Sequence, residues 1–284
     1  MSSIDSTPET PVHWSDHFLR AIRHAPGLNR LSTLWDVLRP GYGKLLHRLY
    51  PRGMEWTING TARIRLSPEL RMISTEHEPA PWHMLMNETK ADDTIADVGA
   101  NIGMYALPWA RRLGPAGRVV AFEPDAQTFD LLKENVALND LGDRIQLVKA
   151  AVGADNHSRS LCGGLGDLSY VSVQPASNSV SIEGVSLDQF FSDRPFTLLK
   201  IDVEGYEEEV LKGALRSLSS PSSCVRLAYV ELHPWAWARA GLATTAKSIE
   251  QLLTNCGYTL QYLDGDTPTK KGDYSQLIAR KKTL

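Results

Sequence analysis

The chain has 284 residues, 42% hydrophobic and 22% charged, a balance ordinary for a globular protein with a sizeable core. A formal net charge of -3 at pH 7 supplies no strong positive field, which argues against nucleic acid binding driven by bulk electrostatics. Cys162, Cys224 and Cys256 stand without metal-ligand spacing, a sparse, odd set that suits a reducing compartment rather than a disulfide framework.

Residues 1–10, rich in Ser, Thr, Pro and Glu, read as a disordered tail. They carry no apolar signal-peptide segment, and no run approaches membrane-spanning length. A soluble, cytoplasmic protein without membrane association is therefore expected. From Val12 to Tyr50, Phe18, Leu19, Ile22, Leu31, Leu34, Trp35, Leu38, Leu45, Leu46 and Leu49 recur at helical spacing, divided by "APG" and "RPGYG" into three short helices. These serve either as a lid or as a homodimer contact. "MEWTINGTARIRL" reads as a hairpin turning at Asn59-Gly60, a pair that tolerates positive φ. Residues 11–90 thus form a helical and hairpin cap.

From residue 91 to 284 the pattern changes. Buried strands are predicted at 94–98, 118–122, 145–149, 197–203 and 226–232, separated by helices near 102–113, 125–138, 207–217 and 245–256. That alternation predicts an α/β fold, a doubly wound parallel sheet with helices on both faces. Residues 151–190 read as an inserted β meander, and "GYTLQYLDGDTP" with "DYSQLIARK" as a C-terminal antiparallel hairpin.

In such a sheet ligands bind beyond the carboxyl ends of the strands. There the first core strand ends in "DVGANIG". Gly99 and Gly103 let the backbone turn tightly and let a ligand lie against it, with Ala100 and Asn101 between them. A helix beginning near Ile102 offers free N–H groups to an anionic group. The second strand ends in "VVAFEPD", where Glu123, followed by Pro124, is placed to accept hydrogen bonds from two ribose hydroxyls. A dinucleotide site has glycine at the second position after Gly99 to make room for pyrophosphate; Asn101 stands there instead, which disfavours a nucleotide-dependent oxidoreductase. S-adenosylmethionine fits, its ribose at Glu123 and its methionine end along residues 99–103. Asp97 meets its ammonium group directly or through water. Adenine lies near the small apolar Ala150, Ala151 and Val152.

"DVGANIGMYAL", "VVAFEPD", "LLKENVALN", "KAAVG", "VSLDQF", "LLKIDVEGYEEEVLKGA" and "YVELHPW" together resemble the FkbM family of S-adenosylmethionine-dependent methyltransferases over roughly Glu76 to Trp235. The resemblance implies a class I methyltransferase fold, with a seven-stranded sheet ending in an antiparallel hairpin, and methyl transfer usually to a hydroxyl oxygen. The family often has Tyr-Glu-Pro before the domain; His77-Glu78-Pro79 stands here, which weakens any role for the aromatic position.

A hydroxyl nucleophile needs its proton taken by a base or its pKa lowered by a metal. Lys200, Asp202 and Glu204 alternate at the end of the fourth core strand, and Glu231 and His233 at the end of the fifth, so each set shares a side. In one reading His233 or Asp202 is the base and Lys200 tunes its charge, Asp202 lying beside the donor as well. In another, Asp202, Glu231 and His233 hold a divalent metal such as magnesium. In a third, the acids favour the N-terminus of the following helix, which accounts for Glu207 and Glu208 and keeps them out of the site. Glu204, Glu231 and Trp235 are expected to meet the substrate, Trp237 to be packing, and Ser169 and Tyr170 to close over donor or substrate or to be ordinary exposed strand. The expected function is O-methylation of a small-molecule acceptor, a sugar, glycoside or polyketide-type metabolite. The alternatives are N-methylation and a non-catalytic S-adenosylmethionine-binding protein.

Overall fold

Residues alternate between two cores along the inner strands of the sheet. Ile95, Val119, Ala121, Leu198, Leu227 and Tyr229 enter one core, while Ala96, Val98, Val120, Phe122, Leu199, Ala228 and Val230 enter the other. A period of two with both faces apolar requires a sheet covered on both sides. The computed structural model describes residues 43–163, 170–172, 179–220, 223–263 and 275–282. The predicted N-terminal tail, the earlier helical stretches and Ser169 lie outside them.

The chain divides into two compact units, Met1–Pro51 and Arg52–Leu284. In the first, residues 43–49 are helical, with Leu46 buried and Leu45 and Leu49 exposed. The second takes in the hairpin and the helix that follows it, so contacts do not divide near residue 90. Ile58, Ile64, Leu66, Trp82 and Leu85 are fully buried in one core with Ile95 and Tyr229, so the hairpin and the helix after it help to cover the sheet.

β1 (Met54–Ile58) and β2 (Ala62–Leu66) pair antiparallel. Asn59 and Gly60 turn between them at φ 47° and 66°. The Asn59 side chain accepts from the His77 N–H at 2.9 Å and donates to the His77 carbonyl at 2.6 Å, pinning the chain that enters α1 (Pro79–Glu88). β3 (Thr94–Val98), α2 (Ala106–Arg112), β4 (Arg118–Phe122), α3 (Ala126–Leu138) and β5 (Ile145–Val148) follow. α2 starts four residues later than expected, because Asn101 and Gly103, at φ 49° and 93°, keep the intervening chain in turns.

The insertion carries β6 (Ala151–Val152), β7 (Arg159–Cys162), β8 (Tyr170–Ser172), β9 (Val180–Ile182), β10 (Gly184–Val185) and α4 (Leu187–Phe190). It is not a meander: β7 lies between β8 and β9, and β6 pairs parallel with β10. Then come β11 (Leu198–Ile201), α5 (Glu207–Lys212), α6 (Leu215–Ser219), β12 (Leu227–Leu232), α7 (Pro234–Trp237), α8 (Ala246–Asn255), β13 (Tyr258–Tyr262) and β14 (Ser275–Lys281). The central sheet has seven strands in the order β13-β14-β12-β11-β3-β4-β5. All neighbours are parallel except at β14, antiparallel to β12 and β13. This is the arrangement the class I methyltransferase fold implies. β3 and β11 are adjacent although distant in sequence, so the order reverses between them and a crevice opens at their carboxyl ends. Among the described residues no helix is long and apolar enough to cross a membrane.

Candidate active site

A cavity of about 690 Å³ occupies that crevice. Its walls include Val98, Gly99 and Asn101 after β3, Phe122, Glu123 and Pro124 at the end of β4, and Ala150 to Val152 after β5. The opposite side carries His77 and Glu78 before α1, Asp202 and Glu204 after β11, and Glu231 and His233 at the end of β12. Tyr170 also lines it. Of the five non-glycine residues at positive φ among the described ones, Glu78, Asn101 and Glu204 line this cavity. Such conformations cost of order 1–3 kcal/mol each and tend to collect at functional sites.

The glycines of the first turn serve the protein's own chain before any ligand. A Cβ on Gly99, at φ 79°, would stand 1.7 Å from the Asp202 carbonyl oxygen, and one on Gly103 would stand 2.8 Å from Leu132 Cδ1. Gly99 lets the β3 and β11 loops cross; Gly103 lets the turn rest on α3. Gly103 and Ala100 are not among the cavity-lining residues.

Glu123 is buried at the cavity wall. Its carboxylate accepts from the Asn101 N–H at 3.0 Å and the Asp125 N–H at 2.9 Å, which fixes its plane and leaves lone pairs for a ligand. Burial pushes its pKa up to about 7, against the pull of those two backbone donors.

Asp97 lies beneath the cavity and does not line it. It is fully buried, with Lys200 Nζ 3.7 Å away, and burial lifts its pKa to about 6. Asp97 thus faces Lys200 rather than the cavity itself. Lys200 is buried as well and reaches the Asp202 carboxylate at 3.1 Å. Burial works against its charge, but Asp202 and Asp97 outweigh it and hold the ammonium above its ordinary range. In turn, burial would raise Asp202, and Lys200 and His233 keep it below its usual value.

His233 is fixed by a residue assigned to helix capping from sequence. Glu207 is completely buried. It accepts from the Gly205 N–H at 2.9 Å and the Trp237 Nε1–H at 2.7 Å, and bonds His233 Nδ1 at 2.8 Å. A partner 26 residues away, invisible to local spacing, takes the carboxylate out of solvent. Burial would lower His233, but the bond and charge of Glu207, with Asp202 and Glu204, raise its pKa to about 9. Its Nε2 then stands 3.9 Å from Asp202 and 3.8 Å from both Glu204 and Glu231. Glu231 is pushed up to about 8, by burial first and then by the charges of Asp202 and Glu78.

The expected metal set of Asp202, Glu231 and His233 divides in two. Asp202, Glu204 and His233 form one convergent group; Glu78, Asp202 and Glu231 form another. Glu78, not singled out from sequence, has its Oε2 held at 2.8 Å by the Tyr105 hydroxyl. The signal for it was faint, an acid before the Pro79 that opens a helix. Trp235 does not line the cavity; it stands edge-on behind His233, centroids 6.2 Å apart. Trp237 is buried and spends its one donor on Glu207.

The profile described as the methyltransferase FkbM domain matches residues 97–260. Hexuronic acid methyltransferase AglP of Haloferax volcanii is 32% identical over 165 residues, which cover 53% of this chain and 60% of that protein. Methyltransferase 1 of Beauveria bassiana is 27% identical over 147 residues, covering 43% and 58%. Methyltransferase sdnD of Sordaria araneosa is 27% identical over 161 residues, covering 42% and 59%. The matches therefore span about three-fifths of the length of these curated relatives.

Proposed function

The chain belongs to the FkbM methyltransferase family, and from that premise we propose that it transfers a methyl group from S-adenosylmethionine to a hydroxyl of a small molecule. The observation that carries this is Glu123, a buried carboxylate held by two backbone donors at the end of β4 and facing the cavity. A pair of ribose hydroxyls is the ligand its remaining lone pairs suit. Asn101 and Gly99 would flank the methionine end, and Ala150, Ala151 and Val152 offer a flat apolar wall for adenine. When bound, the donor supplies an electrophilic methyl group on sulfonium sulfur.

The rim does the rest. Asp202 is kept ionised by Lys200 and lines the cavity, so it can accept the acceptor's hydroxyl proton. His233, held at about 9, is an imidazolium at neutral pH. That state suits it to donate a hydrogen bond rather than to act as the base. A divalent cation such as magnesium at this rim would serve the same end by lowering the hydroxyl's pKa. The acceptor class we favour is a sugar or glycoside, in line with the similarity to the hexuronic acid methyltransferase of Haloferax volcanii.

Calorimetric titration of the full chain with S-adenosylhomocysteine tests the donor site. We expect micromolar binding that weakens at least about 100-fold in Glu123→Ala, roughly 2.7 kcal/mol for two lost charge-assisted hydrogen bonds. Equal affinity in the two proteins would sink the assignment. A variant Asp202→Asn that binds the donor yet transfers no methyl group from labelled S-adenosylmethionine to a glycoside separates an enzyme from a mere binder.

A further inference from the structure

We propose that Glu78, Asp202 and Glu231 form a binding site for one divalent cation, of the magnesium or manganese type, at the acceptor side of the cavity. The inference rests on the methyl-transfer reading of that cavity only for the cation's role, not for its existence. One carboxylate oxygen from each residue lies within 4.8 Å of the other two. They come from three separate elements, the start of α1, the loop after β11 and the end of β12, so no local helix or turn accounts for their meeting.

Two of the three are already oriented through one oxygen. Tyr105 donates to Glu78 Oε2 at 2.8 Å, and Lys200 donates to Asp202 Oδ2 at 3.1 Å. Ligating carboxylates are commonly held in this way by an outer partner. Glu231 differs. It is 7% exposed, lines the cavity, and its Oε2 is buried without a hydrogen-bond partner. The hydroxyl of Tyr229, two residues back on the same face of β12, is buried and unpartnered too. A buried carboxylate oxygen left without a donor is costly, and a bound cation would remove that cost.

The donor set is all oxygen, which selects hard cations over zinc or copper. Such an ion would bind the acceptor's hydroxyl oxygen and lower its pKa. It would also let a rim crowded with acids accept an anionic sugar, which bare carboxylates would repel.

The test uses the full-length protein freed of metal with EDTA and then titrated with manganese(II), free ion being followed by its electron paramagnetic resonance signal. One manganese per chain should bind, and Glu231→Gln and Glu78→Gln should each weaken it about tenfold or more. Neither variant should lose S-adenosylhomocysteine binding, which reports both folding and the donor site. Free signal undiminished up to about 1 mM manganese, with the donor product still bound, would overturn the cation site and leave the methyltransferase reading intact. Manganese binding that both variants retain would equally overturn it. Manganese binding lost in the variants, in a chain that never binds S-adenosylhomocysteine, would support the cation site and remove the methyl-transfer reading.

Discussion

Glu123, Asp97 and Glu231 are carboxyl groups lifted by burial to about 7, 6 and 8, and what separates them is what each faces. Asp97 faces Lys200, Glu231 faces Asp202 and Glu78 with His233 beside it, and Glu123 faces backbone donors on one side and the cavity on the other. A carboxyl raised from 4.5 to about 7 stabilises the free protein below about 4.5, and that contribution is lost as pH rises through 7. Donors arriving from a ribose favour the ionised form, so they pull the pKa back down. Affinity for S-adenosylhomocysteine must then rise as pH climbs from 6 to 8. Each unit by which binding lowers the pKa contributes about tenfold. Calorimetry at pH 6, 7 and 8 checks the sign: affinity that falls over this range would show that the ligand prefers the protonated carboxyl, which two donating hydroxyls cannot do.

The turn after β3 is the element on which donor and acceptor sides meet. Since a Cβ on Gly99 would stand 1.7 Å from a backbone oxygen and one on Gly103 only 2.8 Å from the movable end of Leu132, the two glycines carry unequal constraints. Gly99→Ala is expected to cost about 4 kcal/mol or more and to displace Asp202. Gly103→Ala should cost about 1–3 kcal/mol, with donor binding retained. Thermal unfolding and titration of both variants check the order, and equal losses would mean that the loops do not cross as described. The strands at 94–98, 118–122 and 226–232 were legible because apolar runs buried on both faces look like little else. Glu123 was legible because it sits at a fixed offset from the glycine turn. What sequence could not convey is convergence. Glu207 has the surroundings of a solvated first helical turn, and only the fold brings His233 and Trp237 onto it. Glu78 meets Asp202 and Glu231 across more than 120 residues of chain. The expected helix over 207–217 breaks between α5 and α6 at Gly213, where a Cβ would lie 2.0 Å from the Gly153 carbonyl oxygen, a contact made by the insertion.

At the scale of the whole molecule, the sheet separates its tasks by polarity. The cavity lies at the carboxyl ends of β3, β4, β11 and β12, and a largely buried polar knot ties the amino ends of β3, β11 and β12. Asp93, 2% exposed, accepts from the Thr197 hydroxyl at 2.6 Å and the Lys90 N–H at 2.7 Å, and pairs with Arg226. Arg226 also donates to the Glu88 carbonyl at 2.6 Å, so one carboxylate joins α1, β3, β11 and β12 before each strand begins. Removing Asp93 leaves Arg226 part-exposed with the Glu88 carboxylate still 3.9 Å away, so the cost is that of the lost buried hydrogen bonds, about 1–3 kcal/mol. Asp93→Ala should lose that much stability in urea. It should nonetheless keep the site, because residues that share no partners act independently. The discriminating quantity is the stabilisation added by S-adenosylhomocysteine. At 100 times its dissociation constant a ligand adds about 2.7 kcal/mol whatever the starting stability. The same increment in wild type and Asp93→Ala, on two urea curves displaced from one another, would establish that the amino-end knot holds the sheet without shaping the cavity. A smaller increment in the variant would mean that the strands carry strain from one end to the other, and that the polarity of the sheet does not separate its tasks.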